Sequence, residues 1–587
     1  MKKIVAALLI ITLITGFSLL SFKKPDPFHT QIEQYVDQNL TTILEITQQM
    51  LDANATGDIE AVRDQFKNAR LPYKRIESIV EYFYTESATK INGPNLLEAD
   101  PSMPGEYKIP TGFQVLEEAI FTDDVQPNDI RNEIQNLQYH LKRVQAFQKD
   151  VTYTPTNILD ALKLNLYRMM TKGIVGFDSP VLLNSVSEAA ETLNGTKIIL
   201  AFVHQHNDEL LALLNNAQIY LAAVPSFDAL DRAEFITQYM NPITAAMVQY
   251  QKVAHIPFDT LLPKLIHPEA TSLFDYSKWN ILFFAPSDAL PINTKNIKIG
   301  EALFFDNRLS INLQRNCASC HDPKKDFTDG LKTNTTLLGD KTILRNSPTL
   351  TNSGWQPAQF YDRRVTYLED QIHDVVTNEE EMGQDFEVLL KRLNKDKALA
   401  KEIKQITGHK TITERDVKRF MATYIRSLNN FNTPFDQYMQ GNAQAMSTDA
   451  VKGFNLFMGK AKCGTCHFMP LFNGTVPPNF EKIESEVLGV PVAKNSNEVD
   501  TDLGAYNIYN IGYQLYSFKT PTVRGSKNTA PYMHNGIYNT LEEVIDFYDH
   551  GGGAGLGIDL EFQTLPPDSL LLNTQEKAQI KAFLEAL

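Results

Sequence analysis

Between Phe28 and about Pro268 the chain repeats apolar residues at intervals of three and four. The stretches "QIEQYVDQNLTTILEITQQMLDA", "DIEAVRDQFKNARLPYKRIESIVEYFY", "NEIQNLQYHLKRVQAFQKDV", "ELLALLNNAQIYLAAV" and "AEFITQYMNPITAAMVQYQKVA" all do so. That spacing gives a helix one face to bury. Segments rich in Pro, Gly and Asn, such as "NGPNLLEADPSMPGEYKIPTG", separate them. The pattern predicts an antiparallel helical bundle over residues 28–270. A linker, "FFAPSDALPINTKN", then leads into a second half divided at about residues 297–440 and 441–587. The end, "LNTQEKAQIKAFLEAL", reads as a closing helix with Asn573 as N-cap and Glu576 three residues on. The fold class expected is all-α.

The first residues, "MKKIVAALLIITLITGFSLLSFKK", place two lysines before an apolar run from Ile4 to Phe22. A basic start followed by an apolar core reads as an export signal over residues 1–24. The run is near bilayer length and no A-x-A site follows, so an uncleaved anchor and a membrane tether through the N-terminus stay open. The expected location is periplasmic. At 587 residues the chain is too long for one core and should hold roughly three or four domains. A net charge of −15 argues against a nucleic-acid partner, since little here would neutralise phosphates. The acidic excess suits either steering of a basic electron-donor protein or plain solubility.

All four cysteines fall in two clusters, "CASCH" (Cys317, Cys320, His321) and "CGTCH" (Cys463, Cys466, His467). C-x-x-C-H is the attachment sequence of c-type haem: both thiols bond to haem vinyl groups and the adjacent histidine is aimed at the iron. A zinc knuckle would need a second ligand pair nearby, and a redox dithiol needs no histidine. Two covalently bound haem c groups, with His321 and His467 as proximal ligands, are the expectation.

Two haem-c segments separated by "RNSPTLTN…QFYDRR…LEDQ…EEEM" and followed by "FKTPTVRGSKNTAPYMHNGIYNTLEEVIDFYDHGG" resemble the bacterial dihaem cytochrome c peroxidase family, which includes MauG. The likeness covers about residues 297–587. It implies two cytochrome-c-like helical domains, the first haem reacting with peroxide and the second passing electrons. In the first half, "TGFQVLEEAIF" (Thr111–Phe121) resembles a stretch of imelysin-like helical domains, whose motif is Gly-x-His-x-x-Glu. Gln114 stands where that motif has histidine. His206 and Glu209 give another His-x-x-Glu spacing, a common feature of helix faces.

The family resemblance also carries individual residues. Ordinary members can close the peroxidatic haem with a histidine just before Arg-Asn-x-Pro; from His321 to Arg345 this chain has none, and the next, His373, lies beyond the motif. The first iron is therefore expected to be open, against the alternative that a Lys, a Met or a distant His fills the position. Glu381 falls where the family keeps its distal glutamate; Glu379 and Glu380 beside it leave a solvated acidic face as the alternative, and register with the motif selects Glu381. Gln371 matches a distal glutamine of MauG-like members. Fourteen residues past His534 stands Tyr548, where MauG-like members have a tyrosine on the second iron. A core aromatic, or ligation by Met533 or Met458, are the alternatives there. A phenolate favours Fe(III) and higher states, whereas a thioether favours Fe(II). Tyr361 replaces the usual inter-haem tryptophan, and Trp355 is read as packing. Asn346, Thr529 and Pro531 match a calcium site built from one side chain and two backbone carbonyls.

The expected function is an exported dihaem oxidoreductase that reduces hydrogen peroxide with help from Glu381, Gln371 and Tyr361. It would exchange electrons with a small cytochrome or cupredoxin, or oxidise a partner protein. The alternative is a non-enzymatic dihaem electron-transfer or binding protein with a helical docking domain.

Overall fold

A computed structural model describes residues 27–99, 106–203 and 208–587. The expected export segment and His206 lie outside these residues. The first half is helical. Helix α1 (Pro27–Thr56) buries Phe28, Ile32, Val36, Leu40, Ile43 and Met50, the apolar stripe read from the sequence. Gly57, at φ +77°, reverses the chain, and Asp58 caps α2 (Ile59–Phe83) by accepting from the Ala61 N–H at 3.1 Å. Then follow α3 (Thr85–Asn92), α4 (Phe113–Ile120), α5 (Pro127–Phe147), α6 (Pro155–Thr171), α7 (Ser185–Ala201), α8 (Asp208–Ala223) and α9 (Asn241–Val253). Helix α2 lies centrally, against α1, α6 and α7. Among the described residues no helix is long and apolar enough to cross a membrane.

The centre of these helices is ionic as well as apolar. Arg70, Lys74 and Arg168 are buried with Glu77, Asp178 and Glu188. Arg168 grips Asp178 through two bonds of 2.6 and 2.8 Å, and Lys74 bonds Glu77 and Asp178 at 2.6 Å each. Glu117 is buried beside this group and accepts from the Leu182 N–H at 2.6 Å and the Ser179 hydroxyl at 3.1 Å. Gln114 donates to the Asn92 carbonyl at 3.2 Å. Such a network is destabilising if broken, because each orphaned charge has no water to turn to.

In the second half the expected linker ends at Asn293, whose side chain accepts from the N–H groups of Lys295 and Asn296 and starts α10 (Thr294–Phe304). After it come α11 (Leu368–Thr377), α12 (Phe386–Leu393), α13 (Lys397–Thr407), α14 (Glu414–Ser427), α15 (Pro434–Met439), α16 (Thr448–Phe457), α17 (Leu541–Asp549) and α18 (Thr574–Ala586). Asn573 caps α18 in a capping box with Glu576. Among the described residues the strands are two short antiparallel pairs, β1 (Glu98–Ala99) with β2 (Tyr107–Lys108) and β3 (Ser485–Val487) with β4 (Ser517–Lys519).

Helix α10 crosses α14, and α16 crosses α18, and both crossings pass through a glycine. A Cβ on Gly300 would meet the Phe420 carbonyl, and one on Gly453 the Gln579 carbonyl. Each glycine opens the same short pattern, Gly-x-x-Leu-Phe (Gly300 to Phe304, Gly453 to Phe457), and each helix leads into a C-x-x-C-H cluster. One apolar core runs without a break from the first-half helices into Phe435, Phe454, Phe472 and Phe583. A second holds Leu303, Phe304, Leu368, Phe420 and their neighbours. Buried Arg524 joins the halves. It bonds Asp436 at 2.8 and 3.1 Å and the Tyr276 hydroxyl at 3.1 Å, and Tyr276 bonds Asp436 at 2.7 Å.

Candidate active site

The loop that leaves α10 sets the first cluster. Asn316 donates to the Phe305 carbonyl at 3.0 Å and to Asn307 at 2.8 Å, fixing the turn to the helix end. Residues Cys317–Ser319 make one 3₁₀ turn, and the His321 N–H closes on the Cys317 carbonyl at 2.9 Å. One turn separates the thiols, so both face the same side. His321 is oriented through Nδ1, 3.0 Å from the Phe327 carbonyl, which leaves Nε2 as the ligating atom. Burial lowers its pKa, so the ring is a neutral base. Burial also pushes the Cys317 thiol up to about 12 and the Cys320 thiol up to about 11. The Asn334 amide donates to Cys320 Sγ at 3.3 Å and to Asp329 at 2.9 Å.

The turn after α11 is tied to the chain just ahead of this cluster. Asn378 accepts backbone N–H groups from Glu381, Met382 and Gly383 at 2.8–3.1 Å, and the Met382 carbonyl accepts from Ile311 at 3.0 Å, just ahead of the cluster. Three consecutive glutamates thereby acquire three environments. Glu379 is exposed, Glu380 pairs with Lys341 at the surface, and Glu381 is half-buried. The Asn378 amide holds Glu381 Oε1 at 2.9 Å. Burial raises the Glu381 pKa against the opposing pull of Arg364, and its charge reaches the Cys320 thiol. A carboxyl whose pKa is raised by burial is suited to give and take protons. Gln371 is half-buried on α11, whose apolar face carries Leu368, Ile372 and Val376. His373 is engaged elsewhere: Nδ1 stands 3.0 Å from Glu414, and the ring stacks on Phe386 at 5.3 Å.

The second cluster repeats the first. Cys463–Thr465 form a 3₁₀ turn after α16, and the His467 N–H meets the Cys463 carbonyl at 2.9 Å. Its Nδ1 lies 3.1 Å from the Pro521 carbonyl and 3.3 Å from that of Phe472, and burial pushes its pKa down to about 4. Tyr548, in the last turn of α17, is half-buried, and burial followed by the charges of Cys463 and Cys466 raises its pKa far above the ordinary phenol range. Met458 is fully buried with its sulfur against Gly464, beneath the cysteine turn. Met533 shares a small apolar cluster with Tyr548, Ile537 and Phe547.

Tyr361 is tied to segments that lead to each cluster. Its carbonyl accepts from Lys519 at 2.7 Å, on the strand leading to Pro521 and hence to His467. Burial raises its phenol pKa against Arg345, and the phenol feels Asp329, the residue beside Asn334 and Cys320. Arg345 bonds Asp362 at 2.6 Å and Asp502 at 2.5 Å, clamping this loop. The Asn346 N–H bonds the His534 carbonyl at 2.7 Å, three residues past Pro531, and its amide donates to the Leu331 carbonyl at 2.8 Å, turning Oδ1 the other way. Trp355 is buried and packs against Trp279 and Phe431.

Several residues escaped the sequence reading. Asp329 and Asn334 lie in the histidine-free stretch between His321 and Arg345. Glu486, on β3, is buried beside Cys466, and burial pushes its neighbour Glu484 up to about 7. Buried Lys519 is pushed down to about 7 by burial. Side-chain alternation about the cysteine turns carries no signal for any of them, because loops bring them in.

The donor set at each cluster fits haem: two thiols on one turn and a neutral imidazole anchored at Nδ1. The family description "Di-haem cytochrome c peroxidase" matches residues 294–444. Cytochrome-c peroxidase IdrP2 of Denitromonas iodatirespirans is 33% identical over 311 residues, covering 50% of this chain and 82% of the relative. Methylamine utilization protein MauG of Methylorubrum extorquens is 31% identical over 300 residues, covering 51% and 80%. A crystal structure of a MauG-like protein associated with microbial copper homeostasis aligns over 52% of this chain and 91% of its own, at 26% identity and a TM-score of 0.47. The match to the first of these relatives, over most of its length, establishes that the chain belongs to the dihaem cytochrome c peroxidase and MauG family of oxidoreductases.

Proposed function

We propose that this protein is an exported, periplasmic dihaem c oxidoreductase that reduces hydrogen peroxide at the first cluster and exchanges electrons at the second. The observation that carries the reading is the placement of Glu381: alone of three adjacent glutamates it is turned inward, held by Asn378, with its charge felt at Cys320. Haem c bound through Cys317, Cys320 and His321, and through Cys463, Cys466 and His467, supplies iron for redox chemistry. Two cytochrome-c-like domains carry these groups.

Glu381 accepts the proton of one peroxide oxygen and returns it to the other, which leaves as water; a pKa raised by burial suits both halves of that exchange. Gln371 orients the peroxide by hydrogen bonding, as an uncharged partner that does not compete for the proton. His373, held by Glu414 and Phe386, is not drawn to this side, which supports an open first iron. Tyr361 spans the clusters in the place of the family's tryptophan, and its phenol releases a proton whenever it gives up an electron. Tyr548 would hold the second haem iron through its phenolate oxygen, a ligand that would favour ferric and higher states. The Asn346 side chain with the Thr529 and Pro531 carbonyls holds a calcium ion, an all-oxygen set suited to a hard cation. The electron partner is a small cytochrome c or cupredoxin, or a protein side chain that is itself oxidised.

Glu381→Gln tests the central role. It keeps the shape and the Asn378 contact but cannot take the proton. Stopped-flow mixing with peroxide should show the haem response slowed by roughly 10²–10⁴-fold, with haem content and the resting spectrum unchanged. A wild-type rate in this variant would remove Glu381 from the chemistry.

A further inference from the structure

The chain has two tryptophans, and they touch. Trp279, from the segment ahead of α10, meets Trp355, from the loop between the clusters, edge to face at 5.8 Å and 73°. Both are buried, 8% and 5% exposed, and no protein group accepts from either indole N–H. Phe431 packs on both rings, and Tyr276 stacks on Phe431 at 4.5 Å. Buried N–H groups are ordinarily paired, and leaving two unpaired in contact costs stability.

A short bonded path joins this pair to the second cluster. His467 Nδ1 lies 3.3 Å from the Phe472 carbonyl, and the next residue, Asn473, donates its side-chain amide to the Trp355 carbonyl at 3.4 Å. The path reaches Trp355 at its backbone carbonyl, and Trp279 joins it through the ring contact. An indole can lose an electron and keep its proton, so a site without an acceptor suits it. A phenol cannot: Tyr276 would have to pass its proton to Asp436, which Arg524 already engages through two bonds.

Resting on the peroxide reading above, we propose that Trp355 and Trp279 form a one-electron store branching from the His467 cluster, with Trp279 supplied by the first half of the chain. Reduction of one hydrogen peroxide to two waters takes two electrons and two protons. When no partner protein is present, one electron leaves the indole pair, which becomes a cation radical shared by two rings with both N–H groups retained. The other electron comes from the haem groups, and the protons come from solvent. With continued peroxide an indole loses two electrons and two protons and takes up one water, and the peroxide accepts those electrons and protons, overall Trp + H₂O₂ → Trp–OH + H₂O.

The test uses the holoenzyme with hydrogen peroxide and no donor protein, followed by peptide mass mapping, with the haem spectrum recorded on the same sample. Oxygen is expected at both Trp355 and Trp279 in the unaltered protein. Trp355→Phe should abolish it at Trp279, whereas Trp279→Phe should leave it at Trp355. Should Trp355→Phe fail to hold both haems, Trp355→Leu, equally unable to give up an electron, is read in the same way. Oxidation of Trp279 at full extent without Trp355 would overturn the order, since a packing role alone predicts no dependence of one ring on the other. Intact indoles beside a haem spectrum that responds to peroxide would overturn the store and leave the peroxide reading standing. A haem spectrum that does not respond would overturn the peroxide reading, and the store with it.

Discussion

Glu381 and Tyr548 show how one position takes its chemistry from its surroundings. Glu379, Glu380 and Glu381 are the same residue type in a row, and only register with a family motif separates them in the sequence. The separation is physical in the fold, where the turn closed on Asn378 sends two carboxylates to solvent and one inward. Tyr548, proposed as a ligand by counting from His534, is half-buried within reach of the Cys463 and Cys466 charges, whereas Met458 lies under the cysteine turn. Met533 shares the Tyr548 cluster, so a direct exchange of ligand type is informative. Tyr548→Met replaces an oxygen that favours the oxidised iron with a thioether that favours the reduced one. Potentiometric titration should show the reduction potential of one haem rise while the other holds. Two unchanged potentials would mean that Tyr548 is packing. Asp329, Asn334 and Lys519 were invisible beforehand, because loop residues far apart in sequence carry no period that points to a common site.

Periodicity and caps were the legible part of the elements. The apolar stripe of α1, the Asn573 capping box and the start of α10 at Asn293 all follow from local rules. The repeated Gly-x-x-Leu-Phe ahead of each cluster was equally present in the sequence, but its meaning depends on a partner helix that only the fold supplies. At Gly453 that partner is the backbone of α18, and at Gly300 it is that of α14. A backbone carbonyl cannot swing aside as a side chain can. Gly453→Ala and Gly300→Ala should therefore each cost about 1–3 kcal/mol in denaturant unfolding, the usual penalty of overpacking. Unfolding midpoints unchanged in both would show that these crossings are looser than the geometry states.

Across the whole molecule, the apolar core that joins the first-half helices to residues 435–587 could not be read from sequence, since it depends on contacts between segments hundreds of residues apart. Arg524, Tyr276 and Asp436 lock that junction. Burial would raise the Asp436 pKa, but the charge and hydrogen bonds of Arg524 outweigh it, so the folded value lies below the ordinary one. Its stabilisation is therefore complete above the unfolded carboxyl pKa of about 3.9 and is lost as pH falls through the lower folded value. Asp436→Asn should cost about 3–5 kcal/mol at neutral pH by stranding Arg524, and the deficit should shrink as pH falls below about 4 and the native carboxyl takes up its proton. A deficit constant down to acid would assign the loss to shape rather than charge. The central claim, one open and one tyrosine-ligated haem acting together on peroxide, is tested most directly by optical and low-temperature EPR spectra of the ferric protein before and after stoichiometric hydrogen peroxide. The account predicts one high-spin and one low-spin haem, then a peroxide-induced change that involves both. Two low-spin haems that ignore peroxide would contradict it and leave electron transfer as the better description.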